Sequence, residues 1–348
     1  MTPPAQPAIH PANDLNDLTG REWLAFTRTW FAAAADEADL SPELADVLRR
    51  YVAALPAQPG EFNDVGPAGW LDHALSWFVA DSRRYHRNKD TELHPARFPE
   101  EMVARFLTFF TKAGGWVLDP FAGSGATLMA CSETDRHGVG IELSPRFAAV
   151  ARQRLDLLPD QVVIGGDCRR ADQPGFWAPA LDAGCPQLDG RPQFDLILTS
   201  PPYWRMLRTT RGGVVSTQQE RAAQGLATHY SEDDADLGNL TDYDAFVEAL
   251  GGVFDGLAPL LKPRRYLVII LQNLRDPDGV VRPLAWDVAR RVSRSYLFQG
   301  ERIWCQNTKK LGIWGYPKTF VPNYHHHYCL IFRRPGAPAP AAKPRPAV

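Results

Sequence analysis

The sequence predicts an α/β protein: a doubly wound, mostly parallel sheet preceded by an N-terminal helical subdomain. Three observations predict it. From residue 94 onward, short apolar runs rich in β-branched and aromatic side chains alternate with stretches of helical periodicity. Several of those runs end in glycine, acidic or proline signals, at the strand tips where α/β sheets bind ligands. Residues 19–89, by contrast, carry helix-start signals and helical spacing throughout.

Taken in order, Thr19 and Glu22 form a capping box ahead of Trp23, Leu24, Phe26, Trp30 and Phe31. Ser41-Pro42-Glu43 is an N-cap with proline at the first helical position, before Leu44, Val47, Leu48, Tyr51, Val52 and Leu55. A third helix is expected from Pro67 to about Tyr85, with Trp70, Leu71, Leu75, Trp77 and Phe78 mostly on one face. The alternating region follows. Helices are expected at Pro99–Phe110, Ala126–Thr134, Pro145–Leu157, Tyr243–Leu261 and Pro283–Tyr296. Strands are expected at Trp116–Leu118, Val139–Ile141, Val162–Ile164, Phe194–Leu198, Tyr266–Leu271, Glu301–Cys305 and Tyr328–Phe332. Four units result: a disordered tail over 1–18, the helical subdomain over 19–90, the α/β domain over 91–334, and a Pro/Ala-rich disordered tail over 335–348.

Composition sets outer limits. The 348 residues are 45% apolar and 22% charged, ordinary for a globular chain with material for a core. No run approaches the roughly 20 apolar residues needed to cross a bilayer. The first residues lack the basic and apolar regions of a secretory signal, so a cytoplasmic protein with no membrane association is expected. Five cysteines (131, 168, 185, 305, 329) form no CxxC pair, which fits reduced thiols better than a disulfide framework or a zinc cage. The net charge of −2 hides an asymmetry: residues 1–90 hold 8 basic and 13 acidic side chains, residues 262–318 hold 12 and 4. A basic segment of that kind can meet a polyanion, although a charged run is commonly just a solvated face.

The chemistry concentrates at strand ends. After the first strand of the α/β region comes Asp119-Pro120-Phe121-Ala122-Gly123-Ser124-Gly125-Ala126-Thr127, where two glycines allow a tight turn and close ligand approach. It has neither the third glycine of a dinucleotide fingerprint nor the lysine of a P-loop. Glu142 follows the second strand, about 20 residues on, placed to accept from both hydroxyls of a ribose. Asp167 follows the third, a carboxylate suited to an exocyclic adenine amine. Thr199-Ser200-Pro201-Pro202-Tyr203-Trp204 follows the fourth: two prolines remove amide donors and leave carbonyls beside an aromatic ring, an arrangement suited to a flat, amine-bearing group. Singly, each has a bland reading as a turn or a helix cap. All four in order do not.

On these residues the sequence resembles the S-adenosylmethionine-dependent DNA amino-methyltransferases, which methylate exocyclic amines of cytosine or adenine. Asp119-Pro-Phe-Ala-Gly-Ser-Gly looks like their motif I, Gly140-Ile-Glu-Leu-Ser-Pro their motif II, Asp167 their motif III acid, and Thr199-Ser-Pro-Pro-Tyr-Trp their catalytic motif IV in its serine form. His94-Pro-Ala-Arg-Phe-Pro resembles motif X, and Asp236-Leu-Gly-Asn-Leu, Leu261-Lys-Pro and His326-His-Tyr-Cys-Leu-Ile-Phe are similar to later family segments. The resemblance implies a Rossmann-like class I methyltransferase fold, with S-adenosylmethionine as cofactor and no metal. Cofactor contacts are implied at Phe98, Asp119, Phe121, Ala122, Gly123, Ser124, Gly125, Thr127, Glu142, Leu143, Asp167, Cys168 and Thr199.

Ser200, Pro201, Pro202 and Tyr203 are the implied catalytic group. Tyr203 would stack on a base flipped out of the duplex, while the Ser200 hydroxyl and Pro201 carbonyl accept from its amine. In this family a serine at the first position accompanies cytosine N4 activity, with adenine N6 the alternative. The motif order, X and I before IV, places target recognition after motif IV, within 205–240 and 305–325. The implied partners are duplex DNA and a cognate restriction endonuclease; the oligomeric state is left open. An RNA base-amine methyltransferase would carry an attached RNA-binding module, and a non-catalytic relative would have a damaged motif I or IV. Three features invite over-reading. His325-His326-His327 stand where the family has Asn-His-Glu, but alternate strand residues face opposite ways and no acidic or thiol partner is near in sequence. Trp304, Trp314 and Tyr316, near Lys309 and Lys310, fit nucleic-acid stacking or burial equally well. Asp233, Asp234 and Asp236 read as a solvated stretch.

Overall fold

A computed structural model describes residues 50, 64, 77–79, 99–156, 158, 160–204, 235–276, 279–306, 321–322 and 324–336. The first element is strand β1 (Trp77–Val79). Helix α1 (Glu100–Phe110) leads into β2 (Trp116–Asp119), α2 (Ala126–Glu133), β3 (His137–Glu142), α3 (Pro145–Leu155) and β4 (Gln161–Gly165). A short helix α4 (Ala178–Asp182) and the hairpin β5 (Gln187–Leu188) and β6 (Arg191–Pro192) precede β7 (Phe194–Thr199). Then come α5 (Tyr243–Leu257), β8 (Leu261–Leu271), the hairpin β9 (Leu274–Arg275) and β10 (Val281–Arg282), α6 (Leu284–Val292), β11 (Leu297–Cys305) and β12 (His326–Arg333).

Eight strands form one sheet in the order β1-β11-β12-β8-β7-β2-β3-β4. Seven run parallel; β12 alone is antiparallel, to both β11 and β8. The chain winds outward from β2 to β4, then crosses to β7 and builds the other half, so the β2–β7 junction is the topological switch point. This is the doubly wound, mostly parallel architecture predicted.

Strand alternation feeds two cores. Val117, Leu196, Leu198, Val268 and Ile270 point to one face, where Met102, Val103, Phe106, Leu107 and Phe110 of α1 cover them. Leu118, Ile197, Leu267, Ile269 and Leu271 point to the other, under α5 and α6. Both faces are apolar because parallel strands are buried on both sides. Among the described residues no helix is long and apolar enough to cross a membrane.

Several strands are longer than the sequence reading, β8 and β11 most of all, which begin at Leu261 and Leu297, and three further differences concern helices. Trp77–Val79, expected inside a helix, is an edge strand paired in parallel with Ile303–Cys305 of β11. Aromatic and β-branched side chains side by side favour a strand once a partner edge is available, and local periodicity cannot reveal that edge. The helix expected to reach Leu261 stops at Leu257; Pro259, which has no amide proton, sits in a 3-10 turn, and strand begins at Leu261. The helix expected over Pro283–Tyr296 is shorter, Leu284–Val292. Apart from residues 50 and 64, the remainder of the expected helical subdomain, the motif X residues His94 to Phe98, both tails up to residue 18 and from 337, and most of 205–240 and 305–325 lie outside the described residues.

Candidate active site

Each predicted strand-end residue lies on one rim of the sheet, where β4, β3, β2 and β7 end side by side. Asp119 closes β2 and is 1% exposed. Its Oδ1 accepts from the Thr199 hydroxyl at 2.6 Å and the Phe121 amide at 3.0 Å; its Oδ2 accepts from the Thr127 hydroxyl at 2.5 Å. Burial raises the Asp119 pKa above the ordinary carboxylate range, outweighing those bonds. With three donors already directed at it from within the fold, this carboxylate acts as a pin. It ties the glycine loop and helix α2 to the last residue of β7, across two neighbouring strands.

The glycine loop is shaped by the packing beneath it. Gly125, the N-cap residue of α2, is in the left-handed region (φ +82), and Ala122 N donates to the Ile141 carbonyl of β3 at 2.9 Å. Gly140 of β3 must lack a side chain, since a Cβ there would lie 2.7 Å from Ala122 Cβ. Arg154 of α3 donates to the Ser124 carbonyl and the Glu100 carboxylate, at 2.5 and 2.6 Å, bracing the loop against α1. The Ser124 hydroxyl, 3% exposed, has no hydrogen-bond partner.

Glu142 ends β3. Its carboxylate accepts from the Gly123 amide and the Ser144 amide, each at 2.8 Å. Burial pushes its pKa up to about 7 against those two bonds, with the charges of Asp119 and Asp236 adding to the rise. The Asp236 contribution was not anticipated. Read as part of a solvated stretch, Asp236 is 6% exposed and caps a 3-10 turn through the Gly238 amide at 2.8 Å. The Asp-Leu-Gly-Asn-Leu resemblance was the available signal. Asp233 and Asp234 lie outside the described residues.

Asp167, beyond β4, is held locally. Arg169 donates to both carboxylate oxygens (2.8–3.0 Å), and one guanidinium nitrogen also donates to the Ala235 carbonyl at 2.8 Å. Burial pushes the Asp167 pKa up, but the Arg169 bonds and the Arg169 and Arg170 charges overcome it, and the net displacement is downward. Arg169 was missed because an exposed arginine two residues after an acid has no distinguishing spacing. Leu143 is half-buried beside Glu142. Cys168 is buried, its thiol pushed up to about 12 by burial. The other four cysteines are also buried and free, with pKa values raised by the same cause, so none offers a thiolate nucleophile near neutral pH.

The turn after β7 completes the rim. Pro201 is buried and Pro202 half-buried. The Ser200 and Tyr203 hydroxyls lie 3.0 Å apart, and the Tyr203 hydroxyl donates to the Ile270 carbonyl at 3.3 Å. With that proton committed, Ser200 donates to Tyr203, and the lone pairs on Ser200 Oγ remain to accept from a ligand. The Tyr203 ring is packed inward at 7% exposure, 6.1 Å from the His327 ring, and burial raises its phenol pKa. The histidine run is occupied by rings: His327 stacks on Trp304 at 4.7 Å, and His326 meets Tyr328 edge-on at 4.9 Å. No group of metal-ligating side chains occurs among the described residues. Trp304 is 2% exposed, so it packs in the core; Trp314, Tyr316, Lys309 and Lys310 lie outside the described residues.

Residues 20–153 match a family described as DNA methylase, N6_N4_Mtase. The chain is 42% identical over 78 residues to the type II methyltransferase M.SmaI of Serratia marcescens, covering 21% of this chain and 27% of that protein. It is 35% identical over 75 residues to the type II methyltransferase M.HpaI of Haemophilus parainfluenzae, covering 22% and 24%. The chain thus spans about a quarter of the length of these curated relatives. Among solved structures, TrmN from Thermus thermophilus overlaps with a TM-score of 0.42 at 14% identity, covering 73% of this chain and 53% of that one.

Proposed function

Taking as premise that this chain is an amino-methyltransferase of the N4/N6 family, we propose that it transfers a methyl group from S-adenosylmethionine to the exocyclic amine of a base in duplex DNA. The proposed target is cytosine N4. The observation that carries the reading is the 2.6 Å hydrogen bond between Thr199 and Asp119, which sets the glycine loop and the Ser-Pro-Pro-Tyr turn side by side at adjacent strand tips.

The residues present fit the cofactor. Glu142, near neutral in affinity for its proton and already lined up by two amides, would accept from the ribose hydroxyls. The unpaired Ser124 hydroxyl and the side-chain-free Gly123 would face its amino-acid portion. Asp167, anionic and fixed by Arg169, would meet the adenine edge. When bound, the cofactor supplies a methyl group on a positively charged sulfonium sulfur.

The chain's own contribution is positioning. Ser200 Oγ and the Pro201 carbonyl accept hydrogen bonds from the two N–H groups of the target amine, which draws the nitrogen lone pair out of conjugation and fixes its direction; as the N–C bond forms and the sulfur–methyl bond breaks, one of those protons passes to solvent. The Tyr203 ring swings from its inward packing to stack on the flipped base. The buried, protonated cysteines take no part. Serine in the first position of the turn supports cytosine over adenine, as it does in the family that the sequence resembles. Residues 205–240 and 305–325 are the proposed readers of the DNA sequence, and a cognate restriction endonuclease is a proposed partner.

The test is direct. Purified protein is incubated with methyl-labelled S-adenosylmethionine and long unmethylated duplex DNA, which is then digested to nucleosides. Label in N4-methylcytosine supports the proposal. Label in N6-methyladenine overturns the base assignment, label in RNA alone overturns the substrate class, and no transfer overturns the reading as a whole.

A further inference from the structure

Trp204 follows the Ser-Pro-Pro-Tyr turn directly in the chain. It is 6% exposed, and its indole Nε1 has no hydrogen-bond partner. A buried N–H left unpaired opposes folding, and native chains pair nearly all such groups; the exceptions call for an explanation. Loose placement is not the explanation here. The indole meets the Tyr243 ring of α5 edge to face, with centroids 5.2 Å apart at 74°. Tyr243 is itself held, since its hydroxyl donates to Asp287 of α6 at 2.7 Å and the Arg282 guanidinium of β10 lies 5.3 Å from its ring centroid. Arg282 in turn is paired with the buried Asp276 at 2.9 Å. Groups from three elements brace a donor that bonds nothing within the fold.

We infer that Trp204 Nε1 is a specificity-determining donor reserved for the unprotonated ring nitrogen beside the target amine of the flipped base, N3 in cytosine. The inference rests on the proposed methyl transfer to DNA. Ser200 Oγ and the Pro201 carbonyl only accept, so they select an amine. Trp204 only donates, so it selects an unprotonated ring nitrogen beside that amine. Cytosine presents this combination at N4 and N3, as adenine does at N6 and N1, so the pair selects an amino base. Thymine and uracil present a carbonyl where the amine should be and an N–H at N3, and they are rejected on both counts.

Two variants separate the donor from the ring. Trp204→Phe keeps an aromatic side chain, and replacement of the indole by the isosteric benzothiophene amino acid, through amber suppression, removes the N–H alone. Three quantities are measured: methyl transfer to long unmethylated duplex DNA, affinity for S-adenosylhomocysteine, and the thermal unfolding temperature. For the isostere, kcat/KM on DNA should fall roughly tenfold to a hundredfold, the range for deleting one buried hydrogen bond. Affinity for S-adenosylhomocysteine should stay within about twofold, and the unfolding temperature should be equal or higher because no internal bond is lost. Transfer by the isostere within about twofold of the native protein overturns the inference, and so does an equal loss of S-adenosylhomocysteine affinity. A native protein that transfers no methyl to DNA removes the underlying reading as well, which is a distinguishable failure.

Discussion

The carboxyl of Glu142 makes a quantitative prediction about pH. Burial raises its pKa to about 7, so near neutrality it is protonated in about half of the molecules. Ribose hydroxyls donate to the anion, so the cofactor binds the deprotonated form and pulls the pKa down. By linkage, the apparent dissociation constant scales as one plus ten to the power of pKa minus pH. With a pKa of about 7, that factor is about 11 at pH 6 and about 1.1 at pH 8, so affinity should weaken about tenfold across the window. Calorimetric titration with S-adenosylhomocysteine measures it, and at pH 7 binding should release about half a proton to buffer. Glu142→Gln should bind weakly and show no such slope. For the free protein the sign is opposite: the fold holds this proton more tightly than the unfolded chain, so its stabilising effect is full below about 4.5 and is lost as pH rises through about 7. Affinity that is flat from pH 6 to 8, or that strengthens as pH falls, would refute the reasoning.

Other perturbations test the scaffold. Thr199→Val deletes the Thr199–Asp119 bond inside the fold and should cost about 1–3 kcal/mol in denaturant unfolding. It should also slow methyl transfer beyond any loss of fold. Gly140→Ala places a methyl group 2.7 Å from Ala122 Cβ and 2.9 Å from Leu128 Cδ1, so the glycine loop must shift; about 1–3 kcal/mol of stability and a measurable share of S-adenosylhomocysteine affinity should be lost. Tyr203→Ala should abolish transfer to DNA while leaving S-adenosylhomocysteine affinity nearly intact. Equal loss of both would mean that the pocket is misassigned.

What the sequence disclosed was local. The strand at Trp116, the glycine loop, Glu142 and the Ser-Pro-Pro-Tyr turn were readable because turn chemistry and short continuous apolar runs are written in consecutive residues. The edge strand Trp77–Val79 was not, because its hydrogen-bonding partner, Ile303–Cys305, lies more than 220 residues away. Nor was the part played by Asp119. Its place in the glycine motif implied contact with the cofactor, and the fold in addition surrounds it with Thr127, Thr199 and the Phe121 amide and makes it the joint between two motifs, which no spacing announces. Asp236 shows the same limit in reverse: a residue in an acidic stretch becomes a buried neighbour of Glu142 only after the chain has returned from β7. Arg169, whose guanidinium joins Asp167 to Ala235, depends on that same return.

A crystal structure of the protein with S-adenosylhomocysteine bound confronts the account with a single picture. The account predicts ribose hydroxyls on the Glu142 carboxylate and a sulfur atom facing the Ser200–Tyr203 turn across the Asp119–Thr199 bond. A ligand seated on any other rim, or with its sulfur turned away from that turn, would contradict it.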